Sequence, residues 1–299
     1  MKSGNRFTEY ALLAFLALLW GSSYTMMKVA VAEIPPFTLI ASRVVIAGAL
    51  LHLVVRMQGE HYPRDTKIRL QLLVQSFFNS FGAWTVLAWG QQHIDSAMAA
   101  VLNSTSPLFV VLITLIVLKD RSIPTRKVAG VVLGLIGVVL IIGIDALKGL
   151  GTQVFGQLAA LGGAAMYASA ALYGKRFHSL PASVTAAATI LWAALIMVPT
   201  AVIIDKPWTL TPSAMAVLAV IGMSVFSTAL ALLIYFRLLK TLGSIGTTSQ
   251  AYLRAGVGVV LGVVLLGEQI TPIVAIGLGL ALLGVIMINY PGRLREQHK

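Results

Sequence analysis

Ten apolar segments, each about 20 residues long, run through this chain with little between them. They fall near 10–31, 36–56, 70–91, 97–118, 127–145, 154–174, 184–204, 214–236, 246–266 and 272–290. Twenty residues of helix rise about 30 Å, the thickness of a bilayer's hydrocarbon core, and ten such stretches cannot all hide inside one soluble core. The connecting pieces are short and polar or marked by Pro and Gly, such as "EIPPF", "KDRSIPTRK" and "GEQITP", and none is long enough to be a domain. The segments therefore predict an all-α integral membrane bundle of ten transmembrane helices. Composition agrees: 11% of residues are charged, where an ordinary soluble domain carries about 25%. The first segment follows a basic start, as a signal peptide would, but reads as a retained span because comparable segments follow it to the end.

Orientation follows from where Lys and Arg fall. With the amino terminus inside, the inner segments hold seventeen of them and the outer segments hold two, Lys148 and Lys206. Both termini are therefore expected in the cytoplasm. The net charge of +12 reads as this basic rim and not as a nucleic-acid surface, so no nucleic-acid partner is expected. Three basic residues remain inside spans: Lys28, Arg43 and Arg254.

Several chemistries are excluded early. The chain has no cysteine, hence no disulfide, thiolate metal site or Cys nucleophile, and its five histidines show no ligand spacing. No metal or cofactor is expected. There is also no Gly-x-Ser-x-Gly and no deep Asp pair, so an intramembrane enzyme is disfavoured.

Offset by 148, Val86–Pro124 lies over Ile234–Pro272 without a gap, pairing Ser96 with Ser244 and "VLKDRSIP" with "LLGEQITP". Near offset 147, "LLWGSSYTMMK" lies over "AAMYASAALYGK" and pairs Trp20 with Tyr167. Five spans separate the two copies, so they would run in opposite senses. The expectation is two five-helix halves, 1–147 and 148–299, forming an inverted repeat in one membrane domain.

"LLWGSSYTMMK", "SPLFVVLITLIVLKDRSIP" and "YLRAGVGVVLGVVLLGEQIT" resemble drug/metabolite transporters of the EamA type. The resemblance covers nearly the whole chain and extends most closely to the aromatic amino-acid exporters. It implies export of small metabolites, amino acids among them, across a bacterial inner membrane. The sequence departs from the family pattern at two places. Arg254-Ala255 stands where relatives carry Glu-Pro, while the first half keeps Ser106-Pro107, and the first "GE" turn is Lys119-Asp120.

Polar residues deep in lipid are costly and usually face a bundle interior or a cavity. The candidate solute-binding residues are Trp20, Phe78, Asn79, Asn103, Tyr167, Ser227, Gln250 and Arg254. Aromatic faces would hold apolar parts of a solute, amides would bond its polar groups, and Arg254 would meet a carboxylate. Simpler readings stand beside these. Ser224 and Thr228 can satisfy their own helix backbone, Lys28 can snorkel outward, and Asn79, Asn103 and Gln250 can bond between helices. Arg43 can reach outward to Glu33 or Glu268, whereas Arg254 has no carboxylate within reach.

The glycine-rich segments "GVVLGLIGVVLIIG" and "GLGLALLGVIMI" read as close intramolecular packing or as the surface of a homodimer. Gly21, Gly82 and Gly256 are either flexing points or packing positions. The expected function is alternating-access export of amino acids, aromatic ones included. The alternatives are a nucleotide-sugar or organophosphate carrier and an organic-cation (drug) carrier. The expected partners are a small-molecule substrate and the lipid bilayer. Without a deep carboxylate, a uniporter is expected over a proton-driven carrier.

Overall fold

The computed structural model describes residues 6–119, 124–142, 152–241 and 250–289, and among these every regular element is helical. The order is α1 (Arg6–Val31), α2 (Pro36–Met57), α3 (Thr66–Ser76), α4 (Gly82–Gln91), α5 (Ser96–Asn103), α6 (Ser106–Ile116) and α7 (Thr125–Ile142). It continues with α8 (Thr152–Tyr173), α9 (Ala182–Ile204), α10 (Ala214–Ser224), α11 (Ala231–Thr241), α12 (Gln250–Leu266) and α13 (Pro272–Asn289). π-helical turns at Phe77–Phe81 and Val225–Leu230 join α3 to α4 and α10 to α11 without a break. Six of the helical runs are long and apolar enough to cross a membrane, and Leu253–Leu266 and Ala275–Gly284 are shorter apolar stretches. The expected boundary between halves, and Ser244 and Thr247, lie outside the described residues.

The sequence explains the helix ends. Pro36 opens α2 at a position where its missing N–H costs nothing. The Asp65 carboxylate accepts from the N–H of Lys67 to start α3, and the Ser213 hydroxyl accepts from that of Ala216 to start α10. Gly59 (φ 69°) follows α2 and Gly267 (φ 65°) follows α12, supplying the left-handed residue that ends a helix cheaply. Between α5 and α6, Pro107 has no N–H to offer the Asn103 carbonyl, and the Ser106 hydroxyl donates to that carbonyl instead at 2.8 Å.

The element bounds recur along the chain. Thr66 opens α3 and Ala214 opens α10; Phe77 and Val225 open the two π-helical turns. Left-handed Lys119 (φ 53°) stands where Gly267 stands later. Each pair is 148 residues apart. Contacts follow the same scheme: α2 packs on α9 and α7 on α13, while α1 lies against α12 and α11 as α8 lies against α6 and α4.

Three carboxylates gather at one end of the bundle, each closing the open N-terminus of a distant helix. Glu33 accepts from the N–H and hydroxyl of Ser213 on α10. Asp205 accepts from the N–H and hydroxyl of Thr38 on α2. Glu268 accepts from the N–H groups of Ser96 and Ala97 on α5, beside Gly262, where a Cβ would sit 2.2 Å from its Oε2. Lys28 belongs to the same end, donating to the carbonyls of Gln91 and Ile94 at 2.9 and 2.7 Å. At the opposite end Arg237 pairs with Glu9 at 2.8 Å, and Ser183 donates to Gln58 at 2.6 Å. The Ser213 donors hold Glu33 below the usual carboxylate range. A depressed native pKa stabilises above the unfolded value and is lost as pH falls through the native one, so this clasp is intact at neutral pH and fails only in acid.

The glycine-rich faces of α7 and α13 meet each other. A Cβ on Gly137 would lie 2.5 Å from the Gly277 carbonyl oxygen and the Ala281 nitrogen, and one on Gly284 would lie 2.5 Å from the Gly130 oxygen. Backbone cannot yield as a side-chain tip can. Gly21 and Gly82 are packing positions too, against Val257 and Met166, whereas Gly256 faces open space. Gly137→Leu is expected to cost about 3 kcal/mol, read as a lowered thermal midpoint in detergent. Gly279→Leu, with nothing within 4 Å of its Cβ, should stay within about 0.5 kcal/mol of the parent.

Candidate functional site

The interior polar cluster is built around Arg43. This residue lies seven positions into α2, and only 4% of its surface is exposed. Its Nε donates to the Thr228 hydroxyl at 2.8 Å, and its guanidinium carbon stands 3.9 Å from the centroid of the Trp84 ring. A desolvated cation over an indole face is worth about 2 kcal/mol, and a hydrogen bond to a charged group about 1.5–3 kcal/mol. No carboxylate contacts it among the described residues. The expected reach to Glu33 or Glu268 is not made, because both acids are occupied as helix caps and Arg43 points inward.

Thr228 is positioned by the π-helical turn. That turn widens the helix by one residue, and the Thr228 hydroxyl donates to the Met223 carbonyl at 3.0 Å while accepting from Arg43. The expected backbone bond is therefore present, with a second partner added. Ser224 makes only the backbone bond, to Val220 at 2.6 Å.

A second arm runs through Tyr24 and Asn103. The Asn103 Nδ2 donates to the Tyr24 hydroxyl in a very short contact, while its Oδ1 is buried without a partner. Tyr167 on α8 is half-buried and packs against the buried cluster that holds Tyr24 and Trp84. Arg254 on α12 is half-buried, and its buried Nε has no partner. One turn earlier on the same face, Gln250 is buried with Oε1 unpartnered. Close approach of α12 to α1 sets this geometry. A Cβ on Gly21 would sit 2.6 Å from Val257, and one on Gly258 would sit 2.5 Å from the Ala100 Cβ.

Of the residues expected from sequence, Asn103, Tyr167 and Arg254 converge here. Ser227 is buried with its Oγ unpartnered, next to Thr228. Phe78 sits edge-on to Phe77 with ring centroids 5.2 Å apart, and Asn79 is half-buried in the same π-helical turn. Neither is joined to the Arg43 cluster by a ring contact or hydrogen bond among the described residues. Trp20 lies tilted against Tyr235, ring centroids 5.3 Å apart, beside Leu13, Leu16 and Leu238, one turn along α1 from Tyr24.

Two site residues were not singled out by sequence: Trp84, and Arg43 as an inward-facing group. Depth was the available signal. Trp84 lies seven residues from the end of α4, too deep for an aromatic that anchors a membrane interface.

Apolar helices long enough to cross a bilayer, packed around a buried cluster of polar side chains, define a polytopic membrane protein. Comparison with known proteins gives the family. The EamA-like transporter family model matches residues 8–143 and again 154–290, and the chain belongs to that family. It is a transporter family, not a family of enzymes. Among similar proteins, the "Uncharacterized inner membrane transporter YedA" of Escherichia coli K12 is 28% identical over 283 residues, covering 94% of this chain and 90% of its own. The "Uncharacterized transporter YvbV" of Bacillus subtilis is 27% identical over 297 residues, covering 95% and 92%. A solved crystal structure at 20% identity matches with a TM-score of 0.64, covering 95% of this chain and 98% of the other, and speaks to the fold alone.

Thr228→Val keeps the side-chain shape but removes the acceptor for Arg43 Nε. It is expected to cost about 1–3 kcal/mol by thermal unfolding in detergent. Thr228→Ser should recover most of the loss.

Proposed function

We propose that this protein is an inner-membrane carrier that exports small metabolites, amino acids first among them and aromatic ones included, by alternating access. Its ten passes form two five-helix halves, 1–147 and 148–299, of opposite orientation, with both termini in the cytoplasm. The observation that carries the reading is the composition of the Arg43 cluster. Tyr24, Arg43, Trp84 and Asn103 come from the first half, and Tyr167, Thr228 and Arg254 from the second. A solute held there touches both halves and is released when they rock apart.

Other observations support the same reading. The family model matches twice in tandem, and the helix bounds recur at a fixed offset. The carboxylate clasps also join the halves: Glu33 to Ser213, Thr38 to Asp205, and Ser96 to Glu268. In the proposed orientation they shut the outer side. The three aromatic rings offer faces for an apolar or aromatic side chain.

Proton coupling finds no conventional group here. Asp and Glu number ten in the chain, and none lies near the middle of a span, where carriers keep a proton site. Transport is proposed to follow the substrate gradient.

Uptake into proteoliposomes, screened over all twenty amino acids and a set of organic cations, tests the proposal. Saturable amino-acid flux with counter-transport is expected, falling at least about tenfold in Arg254→Ala and more modestly in Asn79→Ala. Flux confined to organic cations would sink it. A pH gradient alone should drive no accumulation; uphill uptake under it would overturn the uniport mechanism.

A further inference from the structure

Among the described residues, neither of the two deep guanidiniums, Arg43 and Arg254, pairs with an acid. Arg43 is buried and Arg254 half-buried, and their chain neighbours Val44 and Ala255 belong to one buried cluster with Tyr24 and Trp84, on which Tyr167 packs. An uncompensated buried charge is unfavourable unless it is paired, and the partners Arg43 has are neutral: a hydroxyl and a ring face. Its Nε is taken by Thr228, which leaves the fork of its two Nη groups as donors. The Arg254 Nε is buried and unpartnered, and so are two acceptors in the same cluster, Asn103 Oδ1 and Gln250 Oε1. Donors of positive charge on one side and orphaned acceptors on the other are complementary to one head-group, a carboxylate beside an ammonium.

We infer that Arg43 and Arg254 form a carboxylate clamp and that Asn103 and Gln250 accept from the α-ammonium of the same cargo, so that the carrier recognises amino acids by their zwitterionic head-group. This rests on the proposed amino-acid transport and names how the head is held. Arg43 is the principal anchor because its guanidinium is already oriented. Trp84 fixes its plane and Thr228 its rotation, so binding a planar carboxylate in two parallel bonds needs little reordering. Lysine cannot reproduce that fork. A carboxylate supplies a counter-charge to the two guanidiniums.

The test uses the purified full chain in proteoliposomes and nanodiscs. Each of the twenty amino acids is compared with its α-amide, alongside 3-phenylpropionate, phenethylamine and phenyl phosphate. Competition for flux and thermal stabilisation are the two readings. The amides and phenethylamine are expected to bind at least about tenfold more weakly than the matching amino acids, with 3-phenylpropionate between them. Arg43→Lys should lose at least about tenfold in apparent affinity and no longer separate acid from amide. If Arg43→Lys fails to fold, the wild-type series decides alone.

Amides and amines that match their amino acids would overturn the clamp while leaving amino-acid transport standing. Simple carboxylates that move while no amino acid does would refute amino-acid transport and the ammonium contacts, with the carboxylate clamp upheld. Phenyl phosphate displacing every carboxylate, or a panel in which no carboxylate binds, would overturn the clamp.

Discussion

A guanidinium is held inside an apolar bundle without an acid, and the rest of the site is arranged around that constraint. Arg43 cannot be left bare, because burying an ion costs several kcal/mol even after relaxation. Nor does it meet the nearby carboxylates, which close helix N-termini at one end of the bundle. Its position instead depends on the Trp84 face and the Thr228 hydroxyl. Thr228 is in turn set by a π-helical turn whose extra residue gives its hydroxyl a carbonyl to bond. One charge thus ties α2, α4 and the α10–α11 turn into a single unit.

That unit spans the two parts of the chain to which the family model separately fits. Contacts elsewhere divide into two kinds. The α7–α13 pair is glycine packed on backbone, a rigid seam that tolerates no added atom. The ends are held by carboxylate caps and one ion pair, each of them polar, local and breakable. A bundle with a rigid seam, breakable ends and an uncompensated charge between them is suited to bind a solute and change which end is open.

Much of the fold was legible in the sequence. Segment length and the Pro/Gly turns gave the helices, and the stretch matched at an offset of 148 contains Lys119 and Gly267, which both take left-handed backbone. Pro107 announced the break between α5 and α6. The π-helical turns were not legible, because they arise where tertiary contacts favour an inserted residue and leave no mark on hydropathy. For the same reason Thr228 read as a backbone-bonded threonine when it also carries Arg43. Asn103, Tyr167 and Arg254 were singled out by depth and polarity, with the repeat and the family pattern drawing attention to the last two, and the structure keeps all three at least half-buried. Arg43 was noticed but aimed outward, since sequence gives a residue's depth and not the face its side chain takes. Trp20 was placed by its repeat partner Tyr167, yet the two environments differ: Trp20 lies tilted against Tyr235, and Tyr167 packs on the cluster that holds Tyr24 and Trp84.

In the proposed alternating access the two halves part at the carboxylate end for cargo to cross. The cysteine-free chain makes a direct test simple. Thr38→Cys with Asp205→Cys replaces one clasp by a disulfide across the halves, at a site where the Thr38 hydroxyl and the Asp205 carboxylate lie 2.9 Å apart. With cross-linking quantified on gels, flux in proteoliposomes should be lost in the oxidised protein and return on reduction. Undiminished flux through fully cross-linked protein would contradict the account.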